Sequence, residues 1–285
     1  MSAGVDLHMH STCSDGLLEP AALMAFVASC GVRACALTDH DTTAGLAAAA
    51  SAARAHGLEF IPGIELSARW RSGTIHVLGL GIAADSDALA TAIAALATLR
   101  AGRALEIRAR LDRAGAPGSA AFARIAPDVV PTRMHFAREL VALGAVPDVQ
   151  AAFTRWLGRA RPAQVPTAWP ELADTIDAIR AAGGVAVLAH PLRYRLSAGQ
   201  RRALVRAFKA AGGTGLEVAV GGAAPRQVEA ATGLALRCGL EGSAGSDCHD
   251  PSLPWHRPGR LAKLPEALVP VWNRWLSTNR AAFGA

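Results

Sequence analysis

Val5-Asp6-Leu7-His8-Met9-His10-Ser11-Thr12-Cys13-Ser14-Asp15-Gly16 starts as a short β-rich apolar run and ends as a polar turn. On an extended chain His8 and His10, at i and i+2, point to the same side, as two ligands of one ion must. Runs of the same kind recur at 34–38, 59–64, 74–80, 184–189, 215–220 and 242–246. Helical patterns fill the intervals at 20–29, 43–56, 171–182, 198–211 and 225–239, several of them stopped by glycine (Gly31, Gly57, Gly183, Gly212, Gly239). Such alternation predicts a parallel α/β architecture, and seven strands predict a barrel, complete or distorted, more than an open sheet.

One connection is too long for a single crossover helix. About 100 residues lie between the fourth and fifth runs, and they read as helices at 88–114, 133–143 and 149–157. The sequence therefore predicts a barrel built from 1–99 and 163–285, with 100–162 as a helical insertion on its catalytic rim. A closing helix is expected over 265–276, with Leu268, Trp272 and Trp275 at core spacing.

Composition narrows the field. Of the 285 residues 51% are hydrophobic and 18% charged, enough to bury a sizeable core. The formal charge is +6, and residues 100–162, with eleven arginines and five acids, carry all of that excess. A basic wall of this kind attracts a phosphorylated ligand, and a solvated helical face has the same composition. The longest apolar stretch, 88–99, is short of the ~20 residues a bilayer needs, so no membrane span is expected. Neither is a signal peptide. Five cysteines without a CxxC pair are expected as reduced thiols in the cytoplasm.

The strand ends carry an unusual load of metal-binding side chains. The first run leads into His8, His10 and Asp15, and the second into Asp39-His40-Asp41. Glu65 closes the third, His76 lies within the fourth, His190 ends the fifth, and Asp247 and His249 follow the seventh. In a β/α barrel these ends converge on one face. A single histidine at a strand tip is commonly a hydrogen-bonded core residue. Here six of nine histidines share such positions with three carboxylates, and buried charge needs a counter-ion. Imidazoles and carboxylates without thiolates suit Mn, Fe or Zn.

Taken together, HxHSxxSDG at 8–16, TDHD at 38–41, Glu65, His76, AHP at 189–191 and SDCH at 246–249 resemble the PHP (polymerase and histidinol phosphatase) superfamily. The resemblance implies a distorted (β/α)7 barrel with two or three divalent ions, most simply Mn²⁺, with Fe²⁺ or Zn²⁺ as alternatives. By motif position it implies that His8, His10, Glu65 and Asp247 hold one ion. Glu65 would bridge to a second with His76 and His190, and Asp15, His40 and His249 would hold a third. PTRMHFARELVALG at 131–144 looks like the small bacterial branch of 3′,5′-nucleoside bisphosphate phosphatases and 5′-to-3′ exoribonucleases. In that branch the insertion lines the substrate pocket.

The resemblance thus implies that the 3′-phosphate of a nucleoside 3′,5′-bisphosphate is hydrolysed to leave a 5′-mononucleotide, by attack of a metal-bound hydroxide. Short RNA in the same site, or histidinol phosphate, are the alternative substrates; no protein partner and no membrane are implied. Arg103, Arg133 and His135 of the insertion, with Arg193 beside His190, are the expected substrate-binding residues. Arg193 is also expected to act in catalysis. Asp39 is expected either to orient His40 or to carry a proton, and the residues do not choose between these. Cys13 and Cys248 read as bystanders, and Glu217 as a residue that fixes an arginine or lines the pocket. Gly79-x-Gly81-x-x-Ala84 matches a dinucleotide pattern, but no acidic residue on a following strand supplies the ribose contact about 20 residues on, since that region reads as the arginine-rich helix. RNA binding without catalysis is disfavoured by the 5% aromatic content.

Overall fold

Strands and helices alternate from Val5 onward in the computed structural model, which describes residues 4–276. Seven strands form one sheet in sequence order: β1 Val5–Asp6, β2 Ala34–Leu37, β3 Glu59–Trp70, β4 Gly73–Leu80, β5 Val185–Leu188, β6 Gly215–Val220 and β7 Glu241–Gly245. The sheet curls until its edges meet. Leu7 N–H donates to Ala244 O (2.9 Å), Asp247 N–H to His8 O (2.8 Å) and His10 N–H to Cys248 O (2.9 Å). These bonds satisfy edge groups that would otherwise template aggregation. The result is a nearly closed, distorted barrel.

Two strand expectations need correction. The sheet is mixed, because β4 runs antiparallel to both β3 and β5. The cause is local: only Arg71 and Ser72 separate β3 from β4, and so short a link permits only a hairpin. Glu65 also does not end its strand, which continues to Trp70 with Ser67 opposite His76. Reversal of β4 brings its first half to the face where the parallel strands end. That is why His76 contributes from near the start of its strand.

The helices of the first unit are α1 Pro20–Ser29, α2 Leu46–Ala55, α7 Leu172–Ala181, α8 Ala198–Ala210 and α9 Pro225–Cys238. The barrel interior is filled by Val5, Leu7, Ala36, Leu78, Leu80, Val187 and Ala219, and is stoppered by Leu261, Val271, Trp272 and Leu276. The expected closing helix over 265–276 is absent and is replaced by a 3₁₀ turn at Val271–Arg274. Pro270 explains the difference, since it lacks an N–H and clashes with the preceding turn. The packing survives the change: Leu268 and Trp272 are buried and Trp275 lies against the cluster. The ring of Trp275 also occupies the space a Cβ at Gly81 would need, so the dinucleotide-like glycine serves close packing.

Residues Ile93–Trp169 form a separate compact unit. It comprises the greater part of α3 Asp87–Arg113, then α4 Gly118–Ala123, α5 Arg133–Ala142 and α6 Val149–Ala152 followed by a π turn Phe153–Leu157. Its core is Ile107, Leu111, Phe136, Leu140, Trp156 and Leu157. At 27 residues, α3 is long and apolar enough to cross a bilayer by length and composition alone, a test that a core helix also passes. Its second half is charged, and Arg110 and Arg113 both pair with Glu106.

Candidate metal centre

The loop after β1 shows why its motif has its spacing. Ser11 donates to Asp39 through both its N–H (2.7 Å) and its hydroxyl (2.6 Å), and Ser14 Oγ donates to the same carboxylate (2.6 Å). Gly16 N–H returns to Ser11 O at 2.8 Å, and any Cβ on Gly16 would collide with the backbone of His10. Asp39 is thereby committed to bracing this loop, with both oxygens taken. Burial, its largest influence, pushes the Asp39 carboxyl up, against the pull of Ser11 and Ser14.

Two further backbone features aim side chains at the cluster. His190 (φ 29°) and Asp247 (φ 54°) both adopt left-handed backbone that non-glycine residues rarely visit. At Gly245 a Cβ would strike His8, so β7 approaches β1 closely enough for Asp247 to reach the histidines.

The four atoms assigned to a first ion form a compact set. His8 Nε2 and His10 Nε2 are 3.1 Å apart, and each lies 3.3 Å from Glu65 Oε2 and 3.3 Å from Asp247 Oδ1. Ligand atoms around one ion with bonds of about 2.0–2.1 Å stand about 3 Å apart, the scale of these separations. Glu65 Oε2 and Asp15 Oδ1 are buried and make no hydrogen bond, although imidazole nitrogens surround them. A bound cation would satisfy both oxygens. The donor set fits a divalent metal.

Glu65 links this group to the next. Its Oε1 lies 3.1 Å from His76 Nδ1 and 3.1 Å from His190 Nε2. His40 faces two ways, with Nδ1 2.9 Å from Glu65 Oε2 and Nε2 3.9 Å from Asp15 Oδ1. His249 Nε2 stands 3.1 Å from Asp15 Oδ1, and His10 stacks on His249 with ring centroids 3.9 Å apart. His10, Asp15, His40 and His249 offer ligand atoms to one point, so His10 adds a fourth donor to the expected trio.

The titration behaviour matches a site built around positive charge. Burial alone would lower His8, but Glu217, Glu65 and Asp247 outweigh it and hold His8 well above its ordinary value. His10 is pushed down to about 3 by burial and by His249 and His40. His249 rises to about 9, its burial overcome by Asp15 and Asp247. Burial opposes ionisation of Glu65, Asp15 and Asp247 as well, yet neighbouring imidazoles hold all three well below the usual carboxylate range. Protons collect where cations would otherwise balance the carboxylates.

Several contributors were not legible as such. Glu217 Oε1 accepts from His8 Nδ1 at 2.9 Å and its Oε2 accepts the His190 N–H at 2.7 Å. It orients the His8 imidazole and holds the His190 backbone, and among the described residues it pairs with no arginine, contrary to one of its expected roles. Tyr194 accepts the His76 N–H at 2.9 Å and packs edge-on against His190. Arg193 pairs with Asp247, donates to Gly221 O at 2.9 Å and stands 3.3 Å from His256 Nε2. Burial and that arginine push His256 down, so it meets Arg193 as a neutral acceptor. Cys248 is buried, and burial together with Asp6 raises its thiol to about 12. It is no nucleophile at neutral pH.

Within the second unit, Arg100 and Arg103 both lie 5.4 Å from the Trp169 ring and Arg133 lies 5.7 Å from that of Phe153. Arg133 also donates to Leu157 O at 3.4 Å, at the end of the π turn. Burial, and after it the charge of Arg100, pushes the Arg133 guanidinium down. His135 Nδ1 accepts the Thr132 N–H at 3.1 Å and completes a capping box for α5.

The chain matches the PHP domain profile over residues 6–111. It is 38% identical over 275 residues to a 5′-3′ exoribonuclease of Haemophilus influenzae, covering 96% of this chain and 100% of that protein. It is 39% identical over 274 residues to a 3′,5′-nucleoside bisphosphate phosphatase of Chromobacterium violaceum, with 95% and 96% covered. A solved amidohydrolase from Chromobacterium violaceum, holding sulfate and no metal, superposes with a TM-score of 0.89 at 38% identity over 95% of both chains. A metal-dependent phosphoesterase from Bifidobacterium adolescentis gives 0.78 at 29% identity, over 94% of this chain and 92% of that one. The protein belongs to the PHP family.

Proposed function

We propose that the protein is a metal-dependent phosphoesterase that removes the 3′-phosphate of nucleoside 3′,5′-bisphosphates and releases 5′-mononucleotides. The observation that carries this reading is the buried cluster of His8, His10, Glu65 and Asp247, with His40, His76 and His190 also placed around the Glu65 carboxylate. Full-length similarity to a bisphosphate phosphatase supports the substrate.

His8, His10, Glu65 and Asp247 would hold one divalent ion, Glu65, His76 and His190 a second, and Asp15, His40 and His249, with His10 alongside, a third. Such ions, most simply Mn²⁺ in a site of imidazoles and carboxylates, activate water and neutralise charge on the phosphoryl oxygens. The chain's own groups do the rest. Glu217 fixes the tautomer of His8 by accepting from Nδ1, which leaves Nε2 free as a ligand. Arg193 is tethered to Asp247 and Gly221 at the rim, where a guanidinium meets the phosphate oxygens and offsets the charge that grows in the transition state. Asp39 holds the Ser11–Ser14 loop, and with it Asp15, in place. We assign Arg103 and Arg133 to the substrate's second phosphate, supported by the positive excess of residues 100–162. His135 adds the position of the α5 N-terminus.

A second reading, 5′-to-3′ hydrolysis of short RNA in the same site, is supported by the Haemophilus relative, which aligns over its whole length. The five free cysteines fit a reducing, cytoplasmic setting. The test compares products from adenosine 3′,5′-bisphosphate, a short 5′-phosphorylated RNA and histidinol phosphate. Fast formation of 5′-AMP from the bisphosphate is expected. Faster release of mononucleotides from RNA would favour the second reading, and turnover of histidinol phosphate alone would overturn both.

A further inference from the structure

The loop that follows β7 puts an exposed tryptophan beside the metal centre. Trp255 is 53% exposed, and it alone among the described Phe, Tyr and Trp residues is exposed. A soluble fold gains by burying such a ring, and leaving it in water forgoes that gain. Only six large hydrophobic side chains are exposed among the described residues, and two of them are connected to the ligand cluster, one directly and one through the neighbouring His256 and Arg193. One is Leu17, whose N–H donates to His249 O at 2.8 Å. The other is Trp255.

The position of Trp255 is built. It sits in a 3₁₀ turn, Pro254–His256, closed by the bond from His256 N–H to Leu253 O at 3.1 Å. Leu253 N–H donates in turn to Asp250 O at 3.2 Å, and Asp250 Oδ1 accepts from both the N–H (2.8 Å) and the hydroxyl (2.6 Å) of Ser252. Beneath it lies Gly222, with φ 73°; a Cβ built there would be in ordinary contact with Trp255 Cβ at 3.5 Å and Cδ1 at 3.7 Å. Next in sequence, His256 touches Arg193, and Arg193 touches Asp247. The indole is therefore backed on one side by the Gly221-Gly222 turn, open on the other, and two contacts away from a metal ligand.

We propose that Trp255 is the platform on which the substrate's nucleobase stacks while Arg193 and the metal centre hold its phosphate. The inference rests on the nucleotide reading given above and adds the recognition of the base. Stacking on an indole tolerates every base, because each has a π face. The enzyme should accordingly discriminate nucleotides from base-free sugar phosphates and discriminate weakly among the four bases.

The test is kinetic. With the Mn²⁺-loaded enzyme, Trp255→Ala should lower kcat/KM for adenosine 3′,5′-bisphosphate about tenfold or more, chiefly through KM. An abasic ribose 3,5-bisphosphate should lose less than twofold, and Trp255→Phe should recover most of the loss. Equal losses on both compounds, or no loss on either, would overturn the proposal and leave the phosphatase reading standing. Should the wild-type enzyme hydrolyse neither compound, the phosphatase reading falls. Calorimetric titration with 5′-AMP then decides the stacking claim: weaker binding by Trp255→Ala supports it, and equal binding overturns it.

Discussion

Glu217 and His8, 209 residues apart, meet at 2.9 Å between Oε1 and Nδ1 in a contact wholly removed from solvent. The other carboxylate oxygen takes the His190 N–H, so one side chain on β6 holds candidate ligands that follow β1 and β5. Outer carboxylates of this type are worth about 10–100-fold in metal affinity. Glu217→Ala is expected to weaken Mn²⁺ binding by that factor in a competitive chelator titration, with Glu217→Gln intermediate. An unchanged affinity would show that the His8 tautomer needs no help.

The outermost group should be separable from the others. Asp15 and His249 contact each other, and His249 Nδ1 also stands 3.5 Å from Asp247 Oδ1. Asp15→Ala or His249→Ala is expected to cost one equivalent of bound metal by elemental analysis and about 10²-fold or more in phosphate release. Retention of wild-type metal content would remove these residues from the ligand set.

Arg133 offers a cleaner test of substrate binding than Arg193, which also tethers Asp247. Arg133→Ala is expected to raise KM for the bisphosphate about tenfold, the scale of a lost charged hydrogen bond, with a smaller effect on kcat. Arg133→Lys should recover part of the loss. Unchanged kinetics would return the basic stretch to the role of a solvated surface.

Asp6 makes a prediction about stability. Burial raises its carboxyl from 3.8 to about 6, against hydrogen bonds from Ser246 and Gly259. Between about pH 4 and 6 the unfolded chain has ionised at this residue and the folded chain has not. The folded state then binds more protons, so this residue's contribution falls as pH rises, by up to about 3 kcal/mol. In metal-free protein the stability of Asp6→Asn relative to wild type should therefore grow by about that amount from pH 4 to pH 7 in denaturant titrations. A difference independent of pH would refute the buried, proton-retaining Asp6.

Much of the centre was legible because its chemistry is written at strand ends. His8 and His10 share a side by β periodicity, and Asp15, His40, His190, Asp247 and His249 follow apolar runs that had to be strands. His76 was legible as a donor, though the reason for its mid-strand position was not, since nothing before the Arg71-Ser72 turn announces that β4 reverses. Glu217 was visible at a strand tip, but its partners beyond β1 and beyond β5 depend on barrel closure. Arg100 was one arginine among eleven until packing placed it near Arg133. The tail failed for a local reason: spacing at Leu268, Trp272 and Trp275 outweighed Pro270 in the reading, and the chain obeyed the proline.

The most direct test of the account is to strip the protein with a chelator, titrate Mn²⁺ back and follow phosphate release from adenosine 3′,5′-bisphosphate. The expected result is no release without metal, then activity rising as two to three equivalents bind, with 5′-AMP as product. Full activity in the stripped protein, or saturated metal binding with no phosphate released, would contradict it.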